Sequence, residues 1–183
     1  KGVLVVMNDE IHSAKAVTKT NTTAVQAFQS PLQGKMGSVL YGKSEFFREP
    51  DGIHTSKSIF SVENVKELPR VDIIYACADC PADLINASVK SGAKGIIIAG
   101  VGNGNMNKEM LEAAQKAIND GVIVVRSTRV KAGYVIRNAE VNDDENGTIA
   151  SDDLNPSKSR VLLMLALLEK KNKAEIQELF YNY

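Results

Sequence analysis

The sequence predicts an α/β protein in which a parallel sheet is flanked by helices. Three apolar runs, at residues 71–76, 95–99 and 122–126, are separated by helical patterns of about ten residues. Runs that are apolar at nearly every position are typical of parallel strands, because helices cover both faces of such a sheet. We therefore predict that residues 70–183 form a complete, smaller Rossmann-like domain and that residues 1–47 are the tail of another α/β domain.

The first part of the chain begins with an apolar run at residues 2–7, which predicts a buried strand that ends at Asn8 and Asp9. Residues 36–47 consist of two short strand-like runs around a central glycine and predict a β-hairpin. Residues 48–69 are polar, contain prolines and a glycine, and show little periodicity. They predict a linker between the two domains.

The helices of the second domain have recognisable ends. Helices are predicted over residues 82–91 and 108–119, and each is closed by a glycine. Asn155 and Pro156 predict the start of another helix, which should be largely buried because residues 161–168 are apolar on nearly every side. The last segment places four residues on one helical face, as expected for a helix docked on the core: Ile176, Leu179, Phe180 and Tyr183.

The composition excludes several classes of function. The 22 basic and 22 acidic side chains cancel, whereas nucleic-acid binders usually carry a clustered basic excess. The longest apolar run, residues 161–168, is far shorter than the roughly 20 residues that cross a bilayer. With two cysteines and two histidines, a complete zinc site is not expected, and we predict no metal and no cofactor. Because the chain opens directly on a strand, we expect it to be part of a longer polypeptide.

Residues 17–23 place Lys19 among four threonine hydroxyls and the amide of Asn21, just downstream of the first predicted strand. In open α/β sheets, ligands bind outside the carboxyl ends of strands, so this loop is a candidate site. A lysine that is partly desolvated loses its proton more easily and can assist a hydroxyl nucleophile. The alternative is a solvated lysine in a threonine-rich turn.

Residues 100–105 read G-V-G-N-G-N and lie between a predicted strand and a predicted helix. The position suits a dinucleotide-binding motif, but the third glycine of that motif would fall at Asn105. Glycines that relieve backbone strain in a tight turn are the alternative. Asn103 and Asn105 would then offer paired donors and acceptors at the carboxyl edge of the sheet.

Cys77 and Cys80 form a C-x-x-C motif between a strand and a helix, a placement seen in thioredoxin-like redox proteins. The aromatic and proline residues usual before such a pair are missing, so incidental cysteines in a loop are the favoured interpretation.

The long polar segment at residues 129–153 predicts a loop that is functional or disordered. Within it, residues 137–145 hold four acids. A solvated run of charges is the favoured interpretation, and the alternative is that one acid binds a cationic group such as an ammonium.

Five segments, found in order along the chain, resemble the bacterial type II L-asparaginase family. They are V-T-K-T-N-T-T at 17–23, G-V-G-N-G-N at 100–105, V-R-S-T-R-V at 125–130, A-E-V-N-D-D at 139–144 and L-N-P-S-K-S-R-V-L-L at 154–163. The resemblance extends over essentially all 183 residues.

This resemblance implies a homotetramer of two-domain subunits that hydrolyses L-asparagine to L-aspartate and ammonia, with some hydrolysis of L-glutamine, through a threonine nucleophile. By position, Lys19 matches the family's active-site lysine, which handles a proton together with a threonine and an aspartate. Asn105 and Glu140 match residues that reach into the site of a neighbouring subunit, where Glu140 would pair with the α-ammonium of the substrate.

The T-G-G-T-I motif that carries the family's nucleophilic threonine is missing from this sequence, and so is its T-D-T-M-E-E motif. The resemblance is therefore to the carboxyl-terminal portion alone, and we expect activity only when the amino-terminal portion is present. The alternative is a catalytically inactive module that binds an amino acid. The family resemblance suggests the periplasm, with the cytoplasm as the alternative.

Overall fold

The computed structural model describes residues 1–183, and the chain divides into two compact units. The first unit contains residues 1–58 together with 131–133 and Tyr183. The second contains residues 59–130 and 134–182. The domain boundaries drawn from the sequence stay a prediction.

The first unit is built from antiparallel strands. Its larger sheet has the order β1-β2-β5-β6, and a separate two-stranded sheet pairs β3 with β4. A single turn of 3₁₀ helix follows the sheets at Thr55–Lys57. The strands are β1 (Leu4–Met7), β2 (Glu10–Ser13), β3 (Thr18–Lys19), β4 (Phe28–Gln29), β5 (Gly37–Leu40) and β6 (Lys43–Phe46).

Two tight turns set the register of the larger sheet. Asn8 and Asp9 join β1 to β2 with φ angles of 49° and 59°. Tyr41 and Gly42 join β5 to β6 with φ angles of 49° and 75°. Two-residue loops with positive φ at both positions match the right-handed twist of the strands that they connect. The hairpin predicted over residues 36–47 is confirmed.

A strand is present within residues 2–7, as predicted, but the prediction that it is buried is wrong. The strand covers Leu4–Met7, pairs antiparallel with β2, and leaves Val6 and Met7 exposed. A short apolar run has the same sequence pattern whether one face of the strand or both faces are covered, and β1 lies at an edge of its sheet. The rule that ligands bind at the carboxyl ends of parallel strands therefore does not apply to Lys19.

The second unit is a four-stranded parallel sheet of order β10-β9-β8-β7 with helices between its strands. This confirms the predicted α/β class with a parallel sheet flanked by helices. The elements are β7 (Val71–Tyr75), α1 (Asp83–Lys90), β8 (Gly95–Gly100), α2 (Lys108–Asn119), β9 (Ile123–Thr128), α3 (Asp143–Asn146), β10 (Ile149–Ala150), α4 (Pro156–Leu168) and α5 (Lys173–Asn182).

All six residues of β8 are buried, because helices cover both faces of the sheet at this strand. Ile96 and Ile98 belong to a cluster with Met110 of α2. The backbone of Gly95 approaches α4 so closely that an added Cβ would lie 2.6 Å from Cδ2 of Leu163. This close packing explains why the strand begins with a glycine.

The helix predicted at residues 108–119 is confirmed, and the side chain of Asn107 caps it by accepting a hydrogen bond from the Met110 N–H. The predicted start of α4 is also confirmed, since the Asn155 side chain accepts from the Lys158 N–H at 3.1 Å.

The burial predicted for α4 is confirmed for Leu162, Leu163, Met164 and Ala166, but Val161 is exposed. In α5, Ile176, Leu179 and Phe180 are buried as predicted, and Tyr183 lies beyond the end of the helix.

The structure differs most from the sequence prediction at residues 129–153. This segment holds α3 and β10, which extend the fold where we predicted only a loop. Elements of four and two residues are too short to create a periodic pattern. None of the helices combines the length and the apolar character that a membrane span requires.

Candidate functional site

Lys19 lies in β3, opposite Phe28 of β4. The side chain is exposed, and its ammonium is 5.9 Å from the centroid of the Phe28 ring. An ammonium at this distance from an aromatic face is attracted by the ring electrons. Within this unit the structure favours the solvated interpretation of Lys19, because the two-stranded hairpin presents the lysine outward, and its role in proton transfer stays a prediction.

The loop between β3 and β4 is held by its own polar side chains. The N–H and the hydroxyl of Thr20 both donate to the carbonyl of Ala27, at 2.7 and 3.1 Å. Oδ1 of Asn21 accepts from the N–H groups of Thr23 and Ala24, at 2.9 and 3.0 Å. These bonds fix the loop locally, so Lys19 projects from a defined hairpin.

A buried histidine anchors this hairpin to the larger sheet of the same unit. His12 of β2 is 2% exposed, and its Nδ1 lies 2.9 Å from Oγ of Ser30, the residue that follows β4. The Glu10 carboxylate lies 3.4 Å from Nε2 of the same ring and receives Lys35 Nζ at 3.0 Å on its other oxygen. Sequence reasoning missed this contact, because it joins residues 18 positions apart through a fold that the pattern did not reveal.

In the second unit, residues 100–105 form a tight turn after β8. Val101 and Asn105 exchange two backbone hydrogen bonds, at 2.9 and 2.8 Å. Gly104 has a φ of 75°, and a Cβ there would lie 2.9 Å from Cγ1 of Val135. A Cβ on Gly100 would lie 2.4 Å from the backbone of Gly104. Close backbone approach therefore requires the glycine at position 100, and the positive φ and close neighbours require the one at position 104, which confirms the tight-turn interpretation.

The turn brings Asn105 to Glu140. The Nδ2 group of Asn105 donates a hydrogen bond to the Glu140 carboxylate, with Asn105 partly buried and Glu140 exposed. The structure thus brings together two of the three residues proposed from the sequence, and both lie in the second unit. Lys19 belongs to the first unit.

A buried ion pair supports both segments. Arg126 of β9 and Asp143 of α3 are each 0% exposed and meet through two bonds of 2.7 Å. Nη1 of Arg126 donates to the carbonyl of Asn103 at 2.8 Å, and Oδ1 of Asn103 accepts from the Ile136 N–H at 2.8 Å. The guanidinium therefore ties the turn at residues 100–105 to the segment that carries Glu140.

The environment of Asp143 favours its charged form. Burial alone would raise the pKa of Asp143, but hydrogen bonds from Arg126 and Thr148 and from the Asn138 N–H outweigh burial, and the pKa lies below its ordinary value of 3.8. Thr148 donates to Oδ1 at 2.5 Å, and the Asn138 N–H donates to Oδ2 at 3.0 Å. A carboxylate with this many donors remains ionised although it is removed from water.

The interpretation of residues 137–145 as a solvated run of charges is wrong for Asp143. Its neighbour Asp144 does remain exposed, and hydrogen bonds from Asn138 and Arg137 lower its pKa. A signal for the buried pair was present in the sequence, since Arg126 ends an apolar run. A charged residue in a buried strand requires a partner of opposite charge.

Among residues 1–183, no cluster of three or more histidine, cysteine, aspartate or glutamate side chains is arranged to hold a metal ion. The second unit offers a carboxylate and an amide beside each other, and the first unit, taken by itself, offers an exposed primary amine.

Comparison with known proteins identifies the class to which this chain belongs. The profile described as "Glutaminase/Asparaginase C-terminal domain" matches residues 70–180, and the profile described as "Asparaginase, N-terminal" matches residues 1–52. The chain belongs to the asparaginase and glutaminase family.

Individual relatives are similar over the whole of this chain. "Probable L-asparaginase periplasmic" of Haemophilus influenzae is 48% identical, "L-asparaginase 2" of Escherichia coli is 44% identical, and "Glutaminase-asparaginase" of Pseudomonas fluorescens is 42% identical. Each alignment covers 100% of this chain and, respectively, 52%, 53% and 51% of the relative. The chain therefore spans about half the length of the curated relatives that it matches.

Proposed function

We propose that this chain is part of an amidohydrolase that converts L-asparagine to L-aspartate and ammonia, with slower hydrolysis of L-glutamine. The observation that carries the proposal is the contact of Asn105 with Glu140 on a turn and a loop joined by the buried Arg126–Asp143 pair. A site for an amino-acid substrate needs a fixed anion to receive the α-ammonium. The names of the relatives supply the substrate class.

Glu140 is proposed to bind the α-ammonium of the substrate. Its exposed carboxylate can accept charge-assisted hydrogen bonds, which are stronger than neutral ones. The Asn105 amide already donates to one oxygen of that carboxylate, so the side chain is oriented before the substrate arrives. Pre-orientation reduces the entropy that is lost on binding.

Lys19 is proposed to handle the proton of the nucleophile. In its neutral form, the amine takes the proton of a threonine hydroxyl as the oxygen attacks the amide carbon of the substrate. The hairpin that presents Lys19 leaves its Nζ exposed for this contact. The threonine is proposed to come from a segment outside residues 1–183, because the chain spans about half the length of its relatives. Lys19 then gives this proton to the leaving amide nitrogen, so that ammonia departs, and water hydrolyses the acyl-enzyme.

The complete protein is proposed to be a homotetramer in which Asn105 and Glu140 complete the site of a neighbouring subunit. The periplasm is the proposed location, supported by the name of the Haemophilus influenzae relative. A catalytically inactive amino-acid-binding module is the second candidate. It is favoured by one observation, that the Asn105–Glu140 contact is complete within the second unit.

The test is to restore the missing part. The chain is co-expressed with the portion of the Haemophilus influenzae relative that it does not match, and ammonia release from L-asparagine is measured. We expect turnover from the pair and none from either part alone. Lys19→Ala should lower the turnover number by about 100-fold or more, because positioned proton transfer contributes that much. Lys43→Ala, which removes an exposed lysine of β6, is the matched control and should leave turnover unchanged.

One outcome would refute the role of Lys19, and another would replace the hydrolase by the binding module. If the reconstituted Lys19→Ala protein keeps turnover within about tenfold of the unsubstituted pair, the role of Lys19 in proton transfer is refuted. If calorimetry detects L-asparagine binding to the chain alone and the reconstituted pair releases no ammonia, the binding-module proposal replaces the hydrolase proposal.

A further inference from the structure

The two cysteines of the chain are brought together by a turn. Cys77 and Cys80 flank Ala78 and Asp79 in the loop between β7 and α1, and both thiols are free. Ala78 and Asp79 form a turn, and Asp79 has a φ of 52°, in the left-handed region that aspartate tolerates in turns. The first and fourth Cα atoms of a β-turn are less than about 7 Å apart, and disulfides span Cα separations of about 4.4–6.8 Å. The backbone therefore holds the pair within bridging range.

The two thiols differ in their access to solvent. Cys77 is exposed, whereas Cys80 is 6% exposed and its Sγ donates to the carbonyl of Tyr75 at 3.6 Å. The backbone at Cys80 is also fixed, because its carbonyl accepts from Nδ2 of Asn107 at 2.8 Å. An oxidant from solution can reach Cys77 first, and Cys80 is held beside it as the second thiol.

The neighbouring Cys80 also affects the pKa of the Cys77 thiol. A hydrogen bond with Cys80 is the leading cause that raises the pKa of the Cys77 thiol, ahead of desolvation, and the nearby Arg129 opposes this effect only in part. A raised pKa keeps the thiolate fraction of Cys77 small at neutral pH, so its reactions are slow. This separates the pair from thioredoxin-like catalytic thiols, whose nucleophilic cysteine has a lowered pKa.

We propose that Cys77 and Cys80 are a redox modification site at which a small-molecule disulfide, such as oxidised glutathione, closes a reversible intramolecular disulfide. The Cys77 thiolate attacks one sulfur of the oxidant, forms a mixed disulfide, and displaces the first small thiol. The Cys80 thiolate then attacks the Cys77 sulfur, and the mixed disulfide breaks to release the second small thiol. Two electrons pass to the oxidant, and the protons of the two cysteines end on the two departing thiols.

This modification is independent of the proposed hydrolase activity. It acts on the loop that begins α1 and that accepts a hydrogen bond from Asn107, the N-cap residue of α2. The bond would constrain a four-residue turn at the carboxyl edge of the sheet. Because the chain has only two cysteines, the pairing that forms within one molecule is unambiguous.

The test is thiol counting by mass spectrometry. The folded chain is incubated with oxidised glutathione, the reaction is stopped with acid, and free thiols are alkylated before the intact mass is measured. We expect two alkylated thiols before oxidation and none afterwards. The oxidised chain should be lighter than the reduced, unalkylated chain by two hydrogen atoms, and a non-reducing gel should show no dimer. Dithiothreitol should restore both thiols.

Two single variants test the order of attack. In Cys80→Ser, Cys77 should keep a stable glutathione adduct because the second thiol is missing. In Cys77→Ser, the buried Cys80 should form its glutathione adduct at least about tenfold more slowly than Cys77 does in Cys80→Ser. The proposal is overturned if the folded, unsubstituted chain ends as a glutathione adduct or a cross-linked dimer. It is also overturned if two free thiols persist in the folded chain while the urea-unfolded chain forms the disulfide.

Discussion

Replacing Asp143 with alanine should destabilise the chain severely. Asp143 accepts two hydrogen bonds of 2.7 Å from Arg126, and the substitution leaves that guanidinium charged, 0% exposed and without its counter-ion. Removing one partner of a buried ion pair costs about 3–5 kcal/mol, because the remaining charge is buried without compensation. The stability of a whole domain is about 5–15 kcal/mol, so the loss is a large share of the total.

Urea unfolding followed by far-UV circular dichroism measures this loss, and dichroism is the suitable signal because the chain has no tryptophan. The matched control is Asp144→Ala, which removes the adjacent, exposed carboxylate and should lower the unfolding midpoint far less. Equal midpoints for the two variants would refute the claim that the Arg126–Asp143 pair supports this part of the fold.

Three further predictions concern the pKa of Asp143, the turn at Gly104 and the contact of His12 with Ser30. The free energy of unfolding should fall as the pH drops below 3.8 and through the lower folded-state pKa of Asp143, because in this range the unfolded chain binds a proton at Asp143 while the native carboxylate remains ionised. Urea titration at several pH values measures this dependence. The free energy of unfolding should change less steeply with pH in Asp143→Asn. Gly104→Ala should lower the free energy of unfolding by more than about 1 kcal/mol, and by more than Gly92→Ala does. Both glycines have a positive φ, but only Gly104 has neighbours within 4 Å of an added Cβ. Equal losses for the two variants in urea titration would contradict this. His12→Ala should speed hydrogen exchange at the β3–β4 hairpin by releasing Ser30, and unchanged exchange would refute that anchor.

The parts of the fold that the sequence predicted correctly have strong local signals. The helix at Lys108–Asn119 combines an asparagine cap with a long amphipathic pattern, and α4 begins at the Asn155–Pro156 pair. Such caps act within one turn of chain, so their sequence signature is also their physical cause. The parallel sheet was predictable because continuous apolar strands are stable only where both faces are covered.

The errors arose where distant residues decide the structure. The apolar run at the start of the chain forms an antiparallel edge strand because of its pairing with β2, which periodicity does not encode. The elements α3 and β10 form where Asp143 pairs with the buried Arg126, 17 positions away, and accepts a hydrogen bond from Thr148.

The candidate site was partly predictable. Asn105 and Glu140 were proposed from the family resemblance, and their contact depends on residues 35 positions apart. The exposure of Lys19 agrees with the solvated alternative that the residue pattern offered, whereas its place opposite Phe28 follows from the pairing of β3 with β4 and was not predictable.

The central claim is that Glu140 receives the α-ammonium of the substrate. Its most direct test compares kcat/KM for L-asparagine with kcat/KM for succinamic acid, which has the same amide and lacks the α-amino group, in the reconstituted enzyme. A hydrogen bond to a charged group contributes about 1.5–3 kcal/mol, so Glu140→Gln should lower kcat/KM for L-asparagine by about 10- to 100-fold. The value for succinamic acid should be unchanged. An equal loss for both substrates, or no loss for L-asparagine, would contradict the claim.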